Sequence, residues 1–124
     1  MLFLDYQDRR PIYEQIVEKF RMLILSGAME PSSKMPSVRQ LAMELSINPN
    51  TIQRAYMELE QQGLICPVKG KGSFVTDSSR IRQIGMEETL KELREITEKG
   101  KAFGVNEEKM IDVIRSCYKE GDND

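Results

Sequence analysis

Asn50, Gln53 and Arg54 crowd into one turn of the run PNTIQRAYMELE, with Met57 a turn further on. Carboxamides pair with adenine edges, a guanidinium with guanine or a phosphate, and an apolar group meets a thymine methyl. On one side of a helix this set is the chemistry of a major-groove reader. It is also the composition of an ordinary solvated helix face. A second group, Lys69, Gly70, Lys71 and Ser73, offers two ammonium groups and a hydroxyl suited to a phosphate backbone. Its glycines let that backbone lie close to a neighbouring surface. The GxxxxGK[ST] spacing of a nucleotide cradle is absent from this run.

The elements that must position these residues follow from capping and periodicity. Pro36 and Ser37 open a short helix whose Leu41, Ala42 and Leu45 fall on one face. Ser46, Ile47 and Asn48 form a corner with Ile47 turned inward. Asn48 is a good N-cap and Pro49 suits the first helical position, where its missing amide is harmless. In the second helix Ile52, Ala55, Tyr56 and Leu59 make the apolar stripe, which leaves Asn50, Gln53, Arg54 and Met57 facing outward. Leu64 to Cys66 and Phe74 to Thr76 read as two strands around a tip at Lys69 to Ser73. The outline is a winged helix-turn-helix.

Ahead of it, Pro11 opens a helix with Ile12, Ile16, Phe20, Leu23 and Ile24 at helical spacing, ending near Ser26 and Gly27. This is the buttress of the helix-turn-helix, with Tyr13 and Gln15 in structural roles. Leu2, Phe3 and Leu4 form a short strand or a packed arm. Met29 to Lys34 is a loop, whose Lys34 reads as a solvated lysine within reach of phosphate. Beyond Val75, the cluster Thr76 to Ser79 starts a new helical region over Arg82 to Lys99, with Ile84, Met86, Leu90, Leu93 and Ile96 on it. Gly100 to Gly104 turns the chain and Asn106 caps a last helix bearing Met110, Ile111, Val113, Ile114, Cys117 and Tyr118. An acidic frayed tail begins at Gly121.

The chain has 124 residues, 40% of them hydrophobic, enough for one compact domain and an appendage. No apolar run approaches a membrane span and the start lacks a signal-peptide core, so a cytoplasmic location is expected. The net charge of −2 looks wrong for binding nucleic acid, but its distribution decides. Between Lys34 and Val75 five basic residues (Lys34, Arg39, Arg54, Lys69, Lys71) oppose three acidic ones (Glu44, Glu58, Glu60). There is no histidine, and Cys66 and Cys117 lie far apart, so neither a zinc cluster nor any other metal or cofactor site is expected. A redox switch would need the two thiols brought together. Without a histidine, a cysteine pair or a framed carboxylate pair, an enzyme is not expected.

The ordered strings P-S-x-R-x-L-A-x-x-L (Pro36, Ser37, Arg39, Leu41, Ala42, Leu45), N-x-N-T-I-Q-R-A-Y-x-x-L-E-x-x-G-L-I and G-x-G-S-F-V resemble the DNA-binding domain of GntR-family transcription regulators. The resemblance runs from Pro11 to Thr76. It implies that Arg39 grips backbone or a guanine, that Asn48 to Arg54, with Asn50, Thr51 and Gln53 foremost, approach bases or nearby phosphates, and that Lys69, Gly70 and Lys71 reach the minor groove. Pro49 and Gln53 stand where the fatty-acid-sensing branch has arginines, so its base preference does not carry over. The tail resembles that of the short YtrA-like branch, whose members dimerise through a pair of C-terminal helices.

The expected fold is therefore mainly α with a small β-hairpin: a winged helix-turn-helix over 1–76 and a helical dimerisation region over 77–124. An apolar stripe on a thin helical hairpin is buried by pairing across a two-fold axis, or by folding back on its own domain. The expected function is a homodimeric, sequence-specific transcriptional regulator, acting as a repressor on a near-palindromic double-stranded DNA operator. A small-molecule effector is left open, since no residue identifies one. The alternative is a winged-helix adaptor that binds protein and not DNA.

Overall fold

The computed structural model describes Leu2 and residues 4–122, with the side chain of Asp122 excepted. Five helices and one hairpin follow in the order α1 (Ile12–Leu25), α2 (Val38–Leu45), α3 (Pro49–Gln61), β1 (Ile65–Val68), β2 (Gly72–Val75), α4 (Ser78–Ala102) and α5 (Glu107–Asp122). The chain divides into two compact units, one up to Gly85 and the other from Met86 onward.

The first unit is built on the stripes that the spacing announces. Ile16, Phe20 and Ile24 of α1, Leu41 of α2 and Ile52, Ala55, Tyr56 and Leu59 of α3 are buried together, joined by Met35, Leu64, Ile65 and Val75. Phe20 and Tyr56 meet edge to face, with centroids 5.9 Å apart. The composition changes after Val75, yet the unit extends further, because Ile81 and Ile84 in the first turns of α4 pack onto this core. The Asp77 carboxylate starts α4 by accepting from the Arg80 amide at 2.9 Å and the Ser79 hydroxyl at 2.7 Å.

Leu2 and Leu4 are a packed arm and not a strand; Phe3 lies outside the described residues. The buried Gln15 carboxamide holds the polar turn that follows, accepting from the Asp5 amide and donating to the Asp5 and Arg10 carbonyls at 3.0–3.2 Å. Gln15 is thus structural, satisfying backbone groups that would otherwise be orphaned.

The hairpin differs in its limits from the sequence reading. β1 begins at Ile65 and continues to Val68, and β2 begins at Gly72 and stops at Val75, in the register Ile65↔Val75 through Val68↔Gly72. The reversal is tighter than a five-residue tip. Gly70, at φ +77°, occupies the third position of a β-turn closed by the Lys71 amide donating to the Val68 carbonyl at 2.8 Å, the position where a type II turn requires glycine. Pro67 fits within β1 because that strand is an edge, where no ladder amide is needed. The free side of β2 is taken by the loop: Met35 donates to the Ser73 carbonyl and Val75 to the Ser33 carbonyl, both at 2.8 Å.

In the second unit α4 continues through Gly100 to Ala102 and turns at Phe103 and Gly104, later than the glycine spacing suggests. Gly100 serves as a contact surface: a β-carbon there would sit 3.0 Å from the Met110 methyl of α5. Asn106 caps α5, accepting from the Lys109 amide at 2.9 Å. α5 runs through Gly121 to Asp122, so the expected fraying at Gly121 is not found. Asn123 and Asp124 lie outside the described residues. Among the described residues no helix is long and apolar enough to cross a membrane.

Candidate nucleic-acid interface

The helix-turn-helix is fixed at each joint by a named group. The Ser37 hydroxyl accepts from the Gln40 amide at 3.0 Å and so begins α2. Ser46 ends it in the left-handed region, φ 54°, with its amide turned back to the Ala42 and Met43 carbonyls. The Asn48 carboxamide oxygen then accepts from the Asn50 amide at 2.9 Å, and Pro49 fills the first position of α3. Behind α3, the Tyr56 hydroxyl donates to the Pro36 carbonyl at 2.7 Å. This bond ties α3 to the entry of α2. Burial pushes the Tyr56 hydroxyl well above the ordinary tyrosine range, because a phenolate there would lose its hydration. A helix held at its cap, its stripe and its back presents its outer side chains on a rigid support.

Those outer side chains divide. Asn50 and Gln53 are exposed, Met57 is half-exposed, and Thr51 is half-buried beside them. Arg39 stands exposed on α2. Asn48 is engaged as the cap, which commits its carboxamide oxygen to the backbone. Arg54 is exposed one turn beyond Asn50, as expected, but its side chain leans toward α1. Its guanidinium carbon lies 3.9 Å from the centroid of the Tyr13 ring on α1. Each helical residue is rotated about 100° from the last, so Arg54 shares the outward side with Asn50 and is held toward α1 only by its long side chain. The flank on which α1 packs offers its long side chain an aromatic face.

At the wing, Lys69, Gly70 and Lys71 are all exposed around the turn. The structure adds Lys34, for which the sequence alone predicts a solvated loop position. Its backbone is bridged to Phe74 of β2, and a β-carbon on Gly72 would lie 3.4 Å from the Lys34 Cε. Lys34 is therefore part of the wing. The loop pairing that places it has no local signal in the sequence. Cys66, exposed on β1, and Cys117 are both free thiols. Among the described residues no three His, Cys, Asp or Glu side chains converge as metal ligands.

Known proteins share this arrangement. The family model "Bacterial regulatory proteins, gntR family" matches residues 12–75. The HTH-type transcriptional repressor YtrA of Bacillus subtilis (strain 168) is 34% identical over 117 residues, 93% of this chain and 90% of that one. A solved GntR family transcriptional regulator from Listeria monocytogenes is 37% identical, covers 91% of this chain and 98% of that one, and superposes with a TM-score of 0.70. A solved structure of AraR(DBD) in complex with operator ORR3 is 32% identical, covering 61% of this chain and 95% of that one at a TM-score of 0.52. Ordered motifs, winged helix-turn-helix geometry and these likenesses agree: the chain belongs to the gntR family of bacterial regulatory proteins.

Proposed function

We propose that the chain is a homodimeric, cytoplasmic transcriptional repressor that sets its two α3 helices in successive major grooves of a near-palindromic DNA operator. One observation carries this reading. Asn50 and Gln53 stand exposed on a helix whose other side is locked into the core, and among the described residues no hydrogen bond engages their side chains. Rigid carboxamides with open donors and acceptors are what base edges require. Arg39 supplies a guanidinium at the adjoining helix and the lysines at 34, 69 and 71 supply charge at the wing, so that backbone contacts fix the register in which α3 reads. Asn48 caps that helix start, and Thr51, half-buried beside Asn50, approaches bases or nearby phosphates.

The relatives point the same way. YtrA is named a repressor, and AraR(DBD) was solved on an operator. The region beyond the winged helix-turn-helix serves dimerisation. Its α4 and α5 leave Leu90, Ile96, Val113 and Tyr118 exposed in the single chain, and a second copy covers such a stripe by symmetry.

Selection of bound sequences from a random duplex pool tests the whole reading at once. The expected product is an inverted repeat whose half-sites lie about 10 bp apart, one helical turn. Enrichment of a single half-site removes the dimer, and no enrichment without salt-dependent retention on duplex DNA favours the protein-binding adaptor.

A further inference from the structure

Arg54 is held in an unusual way for a residue expected to read bases. Arg10 is engaged by Asp8 and Glu18, and Arg80 donates to Gln83 at 3.1 Å. Arg54 has an aromatic face and, among the described residues, no acceptor: its guanidinium lies over Tyr13 at 3.9 Å. A guanidinium stacks through its flat faces and donates through its edge, so stacking leaves all five N–H groups open. It also restricts a side chain that would otherwise surrender rotamer freedom on binding an anion. Arg54 follows Asn50 by one turn on the exposed side of α3, and the stack draws its cation toward α1, to one side of the Asn50 and Gln53 carboxamides. Phosphates, and not base edges, line the sides of a groove occupied by a helix.

We propose that Tyr13 is a positioning residue of the DNA interface, whose ring holds the Arg54 guanidinium ready for a phosphate of the duplex backbone. The inference rests on the DNA-binding reading above. It gives α1, otherwise a buttress, a part in recognition, and it assigns Arg54 to register and affinity but not to base choice.

The test is a double-mutant cycle on the full chain, with affinity for the selected duplex followed across a potassium chloride series. Arg54→Ala is expected to weaken binding roughly tenfold and to lower the salt slope by about one, the signature of one lost phosphate contact. Tyr13→Leu should weaken binding several-fold, Tyr13→Phe should restore it, and Tyr13→Leu should add nothing in the Arg54→Ala background. If Tyr13 only cements α1 to α3, the Tyr13→Leu loss persists in full beside Arg54→Ala, and the proposal is overturned. An unchanged salt slope in Arg54→Ala overturns it as well. Should Tyr13→Leu lose its cooperative melt, Arg54→Lys decides, since lysine keeps the charge without the planar face: weaker binding at an unchanged slope supports the stack, and wild-type affinity refutes it. A wild-type chain that binds no duplex removes the functional reading and this inference together, whereas wild-type binding with indifferent variants removes this inference alone.

Discussion

The two units draw on the same helical periodicity and end differently. In the first, the apolar positions of α1, α2 and α3 close on one another, and Ile16, Ile24, Ile52, Leu59 and Leu64 lose all contact with solvent. In the second, α4 and α5 carry a comparable stripe, yet Leu90 stays 65% exposed, Val113 60% and Tyr118 74%. Periodicity announces that a face wants covering; the number of elements available decides whether one chain can cover it. Three helices and a hairpin enclose a core, and two helices do not. The first unit thus buries its stripes and holds the polar ridge, while the second leaves its apolar face exposed in the single chain.

The contrast breaks most sharply at the core. Phe20→Ala empties a site packed by Tyr56 and the α3 stripe, and should destabilise the first unit by about 3–5 kcal/mol. Denaturant melts should show that loss at every protein concentration. Leu90→Glu with Val113→Glu should act otherwise. Both positions are exposed in the single chain, so its own packing survives, but a symmetric interface would have to bury unpaired charge. Light scattering at micromolar concentration should fall from twice the chain mass to the chain mass. A wild type already at chain mass would mean that the second face is not an interface between copies.

The legible part of the molecule is local. Ser37, Asn48 and Pro49 cap their helices where the sequence places them, and the stripe Ile52, Ala55, Tyr56 and Leu59 is buried as its spacing requires. Each of these follows from a few adjacent residues. What escaped depends on how distant segments meet. Arg54 over Tyr13 needs the packing of α1 on α3, and Lys34 in the wing needs the loop at Ser33 to Met35 to lie along β2. Gly100 and Gly121 lie inside helices. At Gly100 the helix continues, and the absent side chain leaves room for Met110. At Gly121 it continues despite a propensity cost of about 1 kcal/mol.

The first unit should also tolerate loss of function without loss of fold. Arg39 is exposed and no hydrogen bond among the described residues engages it, so Arg39→Ala should leave the melt unchanged. Operator affinity should drop by about 1–3 kcal/mol. A gel-shift titration with unchanged affinity would strike Arg39 from the interface; a lowered melt would make it a structural residue.

The finest distinction concerns Tyr56, a core residue that also ties α3 to the entry of α2. Its hydroxyl donates to the Pro36 carbonyl, so Tyr56→Phe leaves that acceptor unpaired and should cost about 0.5–1.5 kcal/mol at neutral pH. Burial holds its ionisation above the ordinary value of 10.0. The folded chain therefore keeps a proton that the unfolded chain releases as pH rises past that value. Stability from this group is complete below about pH 10 and declines above it. Tyr56→Phe should consequently flatten the alkaline limb of a stability-against-pH curve while lowering its neutral plateau. If the two curves stay parallel into the alkaline range, the hydroxyl meets solvent in the folded state. The clamp between α3 and the entry of α2 would then be looser than the 2.7 Å bond implies, and the rigidity of α3 would need another source.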